Sequence, residues 1–283
     1  MTELQRKKYK CVNCGEPAAA LFKTYGPAVL KLTKCDKCKG VVDKYIEYDP
    51  VIVMIDLVLM SKEAQRHVLY NTEFKAYWKL LIILIMLETY GVWRSDSLFN
   101  IVINTLCGAQ NNNTINSTLL SAPLNISILE SWRTDNCALW VRDENENDTD
   151  LFIWEKDFYV KFLHTFAGIA AFILTVQILM QLLKPFVPQN HVSPRRLLRA
   201  VALARGPGAL ALPALVWGAH TAPHTRAVHY SLVFVYSFLV FLTVFTVLYE
   251  CPVAVTILVL SVSNITKFAT SFYITPYLRT FIT

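Results

Sequence analysis

Residues 11–50 read CVNCGEPAAALFKTYGPAVLKLTKCDKCKGVVDKYIEYDP, and the two Cys-x-x-Cys turns in this stretch decide how the N-terminal part folds. Two thiolates three residues apart in a tight turn, Cys11 and Cys14, grip one side of a tetrahedral Zn²⁺. Cys35 and Cys38 close the other side. The segment Gly15–Lys34 separates the pairs, at the upper edge of the loop length expected of a zinc ribbon or knuckle. Glycine follows each pair, Gly15 directly and Gly40 one residue later, and a knuckle's sharp turn demands a positive φ. A redox reading of one pair needs a βαβ setting and leaves the other pair unexplained. Disulfides need an oxidising compartment, and Met1–Lys10 carries Arg6, Lys7, Lys8 and Lys10 but no apolar signal core. Four sulfur ligands saturate the ion, so the expected cofactor at Cys11, Cys14, Cys35 and Cys38 is structural Zn²⁺ without catalysis.

Working outward, Val41, Val42, Tyr45, Ile46 and Tyr48 suit a strand that finishes the ribbon. Asp49 is placed as a helix N-cap, with Pro50 at the first helical position. The helix Val51–Met60 is apolar almost all round, with only Asp56 polar, so it is buried against the ribbon or lies in a membrane surface. Asp43, Lys44, Tyr45, Glu47, Tyr48 and Asp49 are candidate partner or lipid contacts; their bland reading is a solvated strand face plus a cap. A helix near Lys62–Trp78 carries Lys62, Arg66, Lys75 and Lys79 beside Tyr70, Phe74, Tyr77 and Trp78, which suits the headgroups of an anionic leaflet. The net charge of +6 needs no nucleic-acid partner beyond that. His67 and His164 read as satisfied core histidines, and His220, His224 and His229 match no standard metal spacing.

Across 283 residues, 54% are hydrophobic and 17% charged, which is too apolar for an ordinary soluble protein. Phe162–Leu183, Tyr230–Tyr249 and Cys251–Tyr273 have the length and polarity of membrane spans. Leu197–Ala219 is softer, because Arg199, Arg205 and Gly206-Pro207-Gly208 interrupt it. Leu80–Trp93 is short and contains Glu88. Between these lies an acidic loop with N-x-S/T sequons at Asn112, Asn116, Asn125 and Asn147, expected in the lumen and glycosylated there. Cys107 and Cys137 fall in the same loop and are positioned to pair. The expected fold is therefore a small N-terminal four-cysteine zinc-ribbon-like module followed by an α-helical integral membrane domain with 4–5 spans. Its divisions are a ribbon at 1–49, interfacial helices at 50–79, a marginal span at 80–93, the loop at 94–157 and a multi-span domain at 158–283. Glu88, Lys161, Glu250 and Lys267 are the ionisable residues in or beside the spans.

The VVDKYIEYDP segment after the second pair resembles the homology domain of the Arv family of endoplasmic-reticulum membrane proteins. The two Cys-x-x-Cys turns, Val51–Leu59, Arg66-His67-Val68-Leu69-Tyr70-Asn71 and Trp154–Tyr159 are similar to further blocks of that family. The resemblance is specific over residues 11–75. It implies a non-enzymatic protein of lipid homeostasis, acting in sterol distribution, sphingolipid balance and support of glycosylphosphatidylinositol (GPI) anchor synthesis. Implied partners are membrane lipids (sterols and anchor intermediates) and the GPI-anchor synthesis machinery. The implied location is the endoplasmic-reticulum membrane, with the Golgi as a second compartment and the zinc module cytosolic. The alternatives are a lipid scramblase or transporter, or an accessory subunit of a lipid-modifying enzyme. The spans offer no carboxylate pair, His-Asp constellation or phosphate-cradling glycine loop for catalysis.

Overall fold

The computed structural model describes residues 9–26, 29–94, 97–106, 151–185, 192–217 and 223–282. The sequons at Asn112, Asn116, Asn125 and Asn147, together with Cys107, Cys137 and His220, lie outside them. The chain divides into two compact units, one of Met1–Leu80, Val187–Ala204 and Leu239–Thr256, the other of Leu81–Phe186, Arg205–Phe238 and Ile257–Thr283.

The first unit begins with two small antiparallel ribbons. Strand β1 (Tyr9–Lys10) pairs with β2 (Pro17–Ala18), and β3 (Phe22–Gly26) pairs with β4 (Val29–Leu32). Cys11, Leu21, Cys35 and Val42 form the core between the ribbons, with Tyr9, Ala18 and Ile46 against it. A second core of Val12, Tyr45 and Ala64, with Val53 and Leu57, ties the first knuckle to the helices that follow.

The strand expected over Val41–Tyr48 is not formed. Val41 makes one isolated bridge to Lys34, and Val42 exchanges backbone bonds with Thr33 and Val12. Beyond it Asp43 is wholly buried, and its Oδ1 accepts the Tyr45 N–H at 3.0 Å. That local bond curls the chain in an Asx-type turn where a strand would stay extended. Further turn bonds run from Glu47 N to Lys44 O and from Tyr48 N to Tyr45 O.

Helix α1 (Pro50–Val58) starts where the sequence places it, with Asp49 Oδ1 accepting from Val51 N at 2.8 Å and Pro50 at the first position. It ends at Met60, whose φ of 58° is the left-handed conformation of a helix C-terminus. Ser61 caps α2 (Lys62–Arg66), which runs on into a π-helical turn at His67–Asn71. The same unit holds the amphipathic α6 (Pro194–Ala204), whose Leu197, Ala200, Val201 and Ala204 are buried.

The membrane part is built from α3 (Tyr77–Trp93), α4 (Leu98–Leu106), α5 (Leu151–Leu183), a short α7 (Leu212–Trp217), α8 (Pro223–Tyr249) and α9 (Val253–Ile282). Among the described residues three segments are long and apolar enough to cross a membrane: Glu155–Leu183, Thr225–Tyr249 and Val253–Phe281. The last two meet at Glu250-Cys251-Pro252, the turn expected there, with Glu250 at φ 53°. Tyr77–Trp93 is an unbroken 17-residue helix over the marginal span. Leu197–Ala219, expected as one soft span, is instead three pieces: α6 ends at Ala204, a 3₁₀ turn occupies Gly206–Ala211, and α7 begins at Leu212. Gly206-Pro207-Gly208 supplies both a residue without a backbone donor and two with no side chain to hold a helix.

In the second unit α5 and α9 approach closely at Gly168. A Cβ there would sit 2.4 Å from Ser271 Oγ and 3.4 Å from the Lys267 carbonyl. Small residues at such crossings let backbones meet where no hydrophobic force between helices is available. Phe99, Ile103 and Phe272 pack beside this contact, with Phe99 stacked on Phe268 at 5.8 Å.

Candidate functional site

The four cysteines converge. Each Sγ lies within 4.8 Å of the other three, with Cys11–Cys38 at 3.7 Å and Cys14–Cys35 at 3.6 Å. Tetrahedral Zn–S bonds of about 2.3 Å place neighbouring sulfurs about 3.8 Å apart, so the cage has the size of one zinc ion. No disulfide joins them. The two turns repeat one pattern: Cys11 N bonds Glu16 O and Gly15 N bonds Cys11 O, while Cys35 N bonds Gly40 O and Lys39 N bonds Cys35 O.

Gly15 takes the expected positive φ of 79°, but in the second turn Lys39, not Gly40, is left-handed at 61°. Gly40 serves packing instead, since a Cβ there would lie 3.2 Å from Asn13 Nδ2. Burial pushes the Cys11 thiol up to about 12 and also raises Cys14, whereas the Cys38 backbone N–H brings Cys35 down to about 7. A cation at the sulfur would hold so buried a thiol as thiolate.

A polar network braces this cage. Asp43 Oδ2 faces His67 Nδ1 and accepts from Asn71 Nδ2, both at 2.7 Å. Asn71 in turn pairs with both backbone groups of Lys10, beside Cys11. His67 Nε2 meets Thr72 Oγ1 at 3.0 Å. Arg66 Nη1 donates to the carbonyls of Val12 and Asn13, at 2.7 and 2.8 Å, inside the first knuckle. Tyr45 OH donates to Asp56 of α1 at 2.7 Å.

Sequence reasoning grouped Asp43 with solvated residues; burial makes it the centre of the module. Its partners lie 24 and 28 residues away, so no local pattern reveals them. Of the other candidates Tyr45 is buried in the same core, whereas Lys44 pairs with Glu63, Tyr48 is exposed, and Asp49 is the cap. His67 is the satisfied histidine expected. His164, likewise, is buried with Nδ1 2.7 Å from Thr275 Oγ1.

The exposed face belongs to α1, none of whose residues is buried. Val51, Ile52, Met54, Ile55, Val58 and Leu59 are all exposed, Leu59 to 70%. The opposite face packs on the module, with Val53 and Leu57 against the Val12, Tyr45 and Ala64 core, so the helix rests on the ribbon along one side and is open along the other.

In the second unit, Glu88 Oε1 meets Lys267 Nζ at 2.6 Å, and Arg205 Nη2 meets Glu88 Oε2. The sequence marked Glu88 and Lys267 singly; it treated Arg205 only as an interruption of a span.

The chain matches the Arv1-like family over residues 10–241. It is 43% identical over 86 residues to Protein ARV1 of Homo sapiens, covering 30% of this chain and 32% of that one. It is 37% identical over 94 residues to Protein ARV 2 of Arabidopsis thaliana, covering 31% of this chain and 41% of that one. Protein arv1 of Schizosaccharomyces pombe is 33% identical over 90 residues, covering 30% of this chain and 34% of that one. These matches thus span between about a third and two fifths of each relative's length. No solved structure matches the chain. Since the family match takes in most of the chain, from the first cysteine turn into α8, this protein belongs to the Arv1-like family.

Proposed function

We propose that the chain is a non-enzymatic, multi-pass endoplasmic-reticulum membrane protein of lipid homeostasis, in which a structural Zn²⁺ ribbon holds an apolar helix against the cytosolic leaflet. The observation that carries this reading is α1. Five exposed apolar side chains, with Leu59 at the C-cap, project from a helix whose base is fixed by the Asp43 network and the four-cysteine cage. A helix apolar on its open face is stable next to hydrocarbon and costly in water. Family membership supports the lipid role, and three membrane-length helices support the setting.

In this reading the four thiolates carry no chemistry on a substrate. Zinc cross-links residues 11–38, which positions Asp43, and Asp43 and Tyr45 then aim α1. The finer roles are sterol distribution, sphingolipid balance and support of GPI-anchor synthesis, with sterols, anchor intermediates and the anchor-synthesis machinery as partners. The sequon loop is lumenal and the chain crosses the membrane four or five times.

The test is complementation of cells lacking their own Arv-type protein, read by lipidomics and by surface GPI-anchored proteins. Wild type should restore both, and Met54→Asp with Val58→Asp should fail although the protein accumulates normally. Full rescue by that variant would remove α1 from the mechanism. Failure of wild type to alter any lipid class would remove the lipid role itself.

A further inference from the structure

The cluster of Glu88, Arg205 and Lys267 holds two cations against one carboxylate inside the apolar second unit. Lys267 uses one donor on Glu88 and lies 5.4 Å over the Phe268 ring. Arg205 spends Nη2 on the same carboxylate, while its Nε is buried with no hydrogen-bond partner among the described residues. The side chains of Arg205 and Lys267 are only 11% and 15% exposed. Surplus positive charge in a low-dielectric region is costly unless an anion joins it. An arginine with a free Nε edge offers the fork geometry that phosphate oxygens match. The turn that follows Arg205 is open: Cβ atoms built on Gly206 and Gly208 meet nothing within 4 Å. A helix running on through this point would have filled that space with side chains.

We propose that Arg205 and Lys267, held on either side of Glu88, form a binding site for the phosphate of an anionic lipid headgroup. The phosphate takes the open donors, and Glu88 keeps the two cations apart and poised when no lipid is present. This inference rests on the lipid-handling reading and deepens it by naming the ligand chemistry and the residues. The same donors would accept inorganic phosphate, so the source has to be separated experimentally.

The experiment uses the full chain in nanodiscs of phosphatidylcholine containing a minor fraction of phosphatidylglycerol, with retained lipid counted by native mass spectrometry after transfer to detergent. Wild type should retain phosphatidylglycerol in preference to phosphatidylcholine. Arg205→Gln and Lys267→Met should each weaken that retention about tenfold, the loss of one charge-assisted contact. Glu88→Gln removes the competing carboxylate and should raise retention. A purely structural ion cluster predicts the reverse for Glu88→Gln, a lower unfolding temperature with no gain in lipid.

The proposal is overturned if Arg205→Gln and Lys267→Met unfold at the wild-type temperature and retain as much phosphatidylglycerol as wild type. It is also overturned if Glu88→Gln fails to raise retention. If inorganic phosphate displaces the lipid and protects the chain equally well alone, the site takes a free anion and the lipid assignment falls. Retention that persists unchanged in all three variants sinks this site alone, whereas a wild type that retains no lipid sinks the lipid-handling reading as well.

Discussion

Replacing Asp43 by alanine should loosen the whole N-terminal module, although Asp43 touches no cysteine sulfur in the cage. Its carboxylate is wholly buried and is the acceptor for Tyr45 N, His67 Nδ1 and Asn71 Nδ2. Asn71 Nδ2 keeps a second acceptor, the Lys10 carbonyl at 2.8 Å, so the two donors hit hardest are Tyr45 N and His67 Nδ1. An orphaned buried donor costs about 1–3 kcal/mol, so two of them give a loss of roughly 3 kcal/mol or more. That is a large share of the roughly 5–15 kcal/mol that stabilises a whole domain. Asp43→Asn keeps the shape and the bond to Tyr45 but turns a donor toward Asn71, and should fall between wild type and alanine.

The assay is the rate at which Cys11, fully buried in the native module, reacts with a thiol reagent in the full-length protein in detergent, alongside proteolysis within residues 9–76. Asp43→Ala should raise both rates by on the order of a hundredfold, the equivalent of about 3 kcal/mol of opening free energy. Wild-type rates in Asp43→Ala would refute the claim that this carboxylate organises the module.

Three further outcomes follow from other parts of the molecule. A dye attached at Val58→Cys should be quenched by lipids labelled near the headgroup when the chain is in nanodiscs, and no quenching would place α1 away from lipid. Gly168→Val should destabilise the second unit by about 1–3 kcal/mol, because its Cβ would lie 2.4 Å from Ser271 Oγ. Adding Ser271→Gly should recover part of that loss in thermal unfolding, and strict additivity of the two changes would deny the contact. Lys39→Gly should raise the module's stability by roughly 1 kcal/mol, since Lys39 is held at φ 61°; a destabilised variant would contradict this.

What the sequence makes legible here is local. Two Cys-x-x-Cys turns, the Asp49-Pro50 start of α1 and the Glu250-Cys251-Pro252 turn each depend on neighbours within a few positions, and the structure has all of them. Val41–Tyr48 has the composition of a strand, yet one buried carboxylate bends it, and burial of Asp43 depends on His67 and Asn71 far along the chain. For the same reason two segments that carry the family resemblance, Val41–Pro50 and Arg66–Asn71, look separate in sequence but meet through that carboxylate. The glycine rule held at Gly15 and missed at Lys39, because Gly40 is required by the approach of Asn13. Arg205 reads as a flaw in a membrane span until its partner is known to be Glu88.

The central claim is that Cys11, Cys14, Cys35 and Cys38 hold one structural zinc ion. Metal analysis of the purified full-length chain, with X-ray absorption at the zinc edge, tests it directly. The expected result is about one zinc per chain, coordinated by four sulfurs at about 2.3 Å, and loss of that ion with opening of the module in Cys35→Ser. A chain purified without zinc that keeps Cys11 protected, or a zinc with oxygen or nitrogen in place of sulfur, would contradict it.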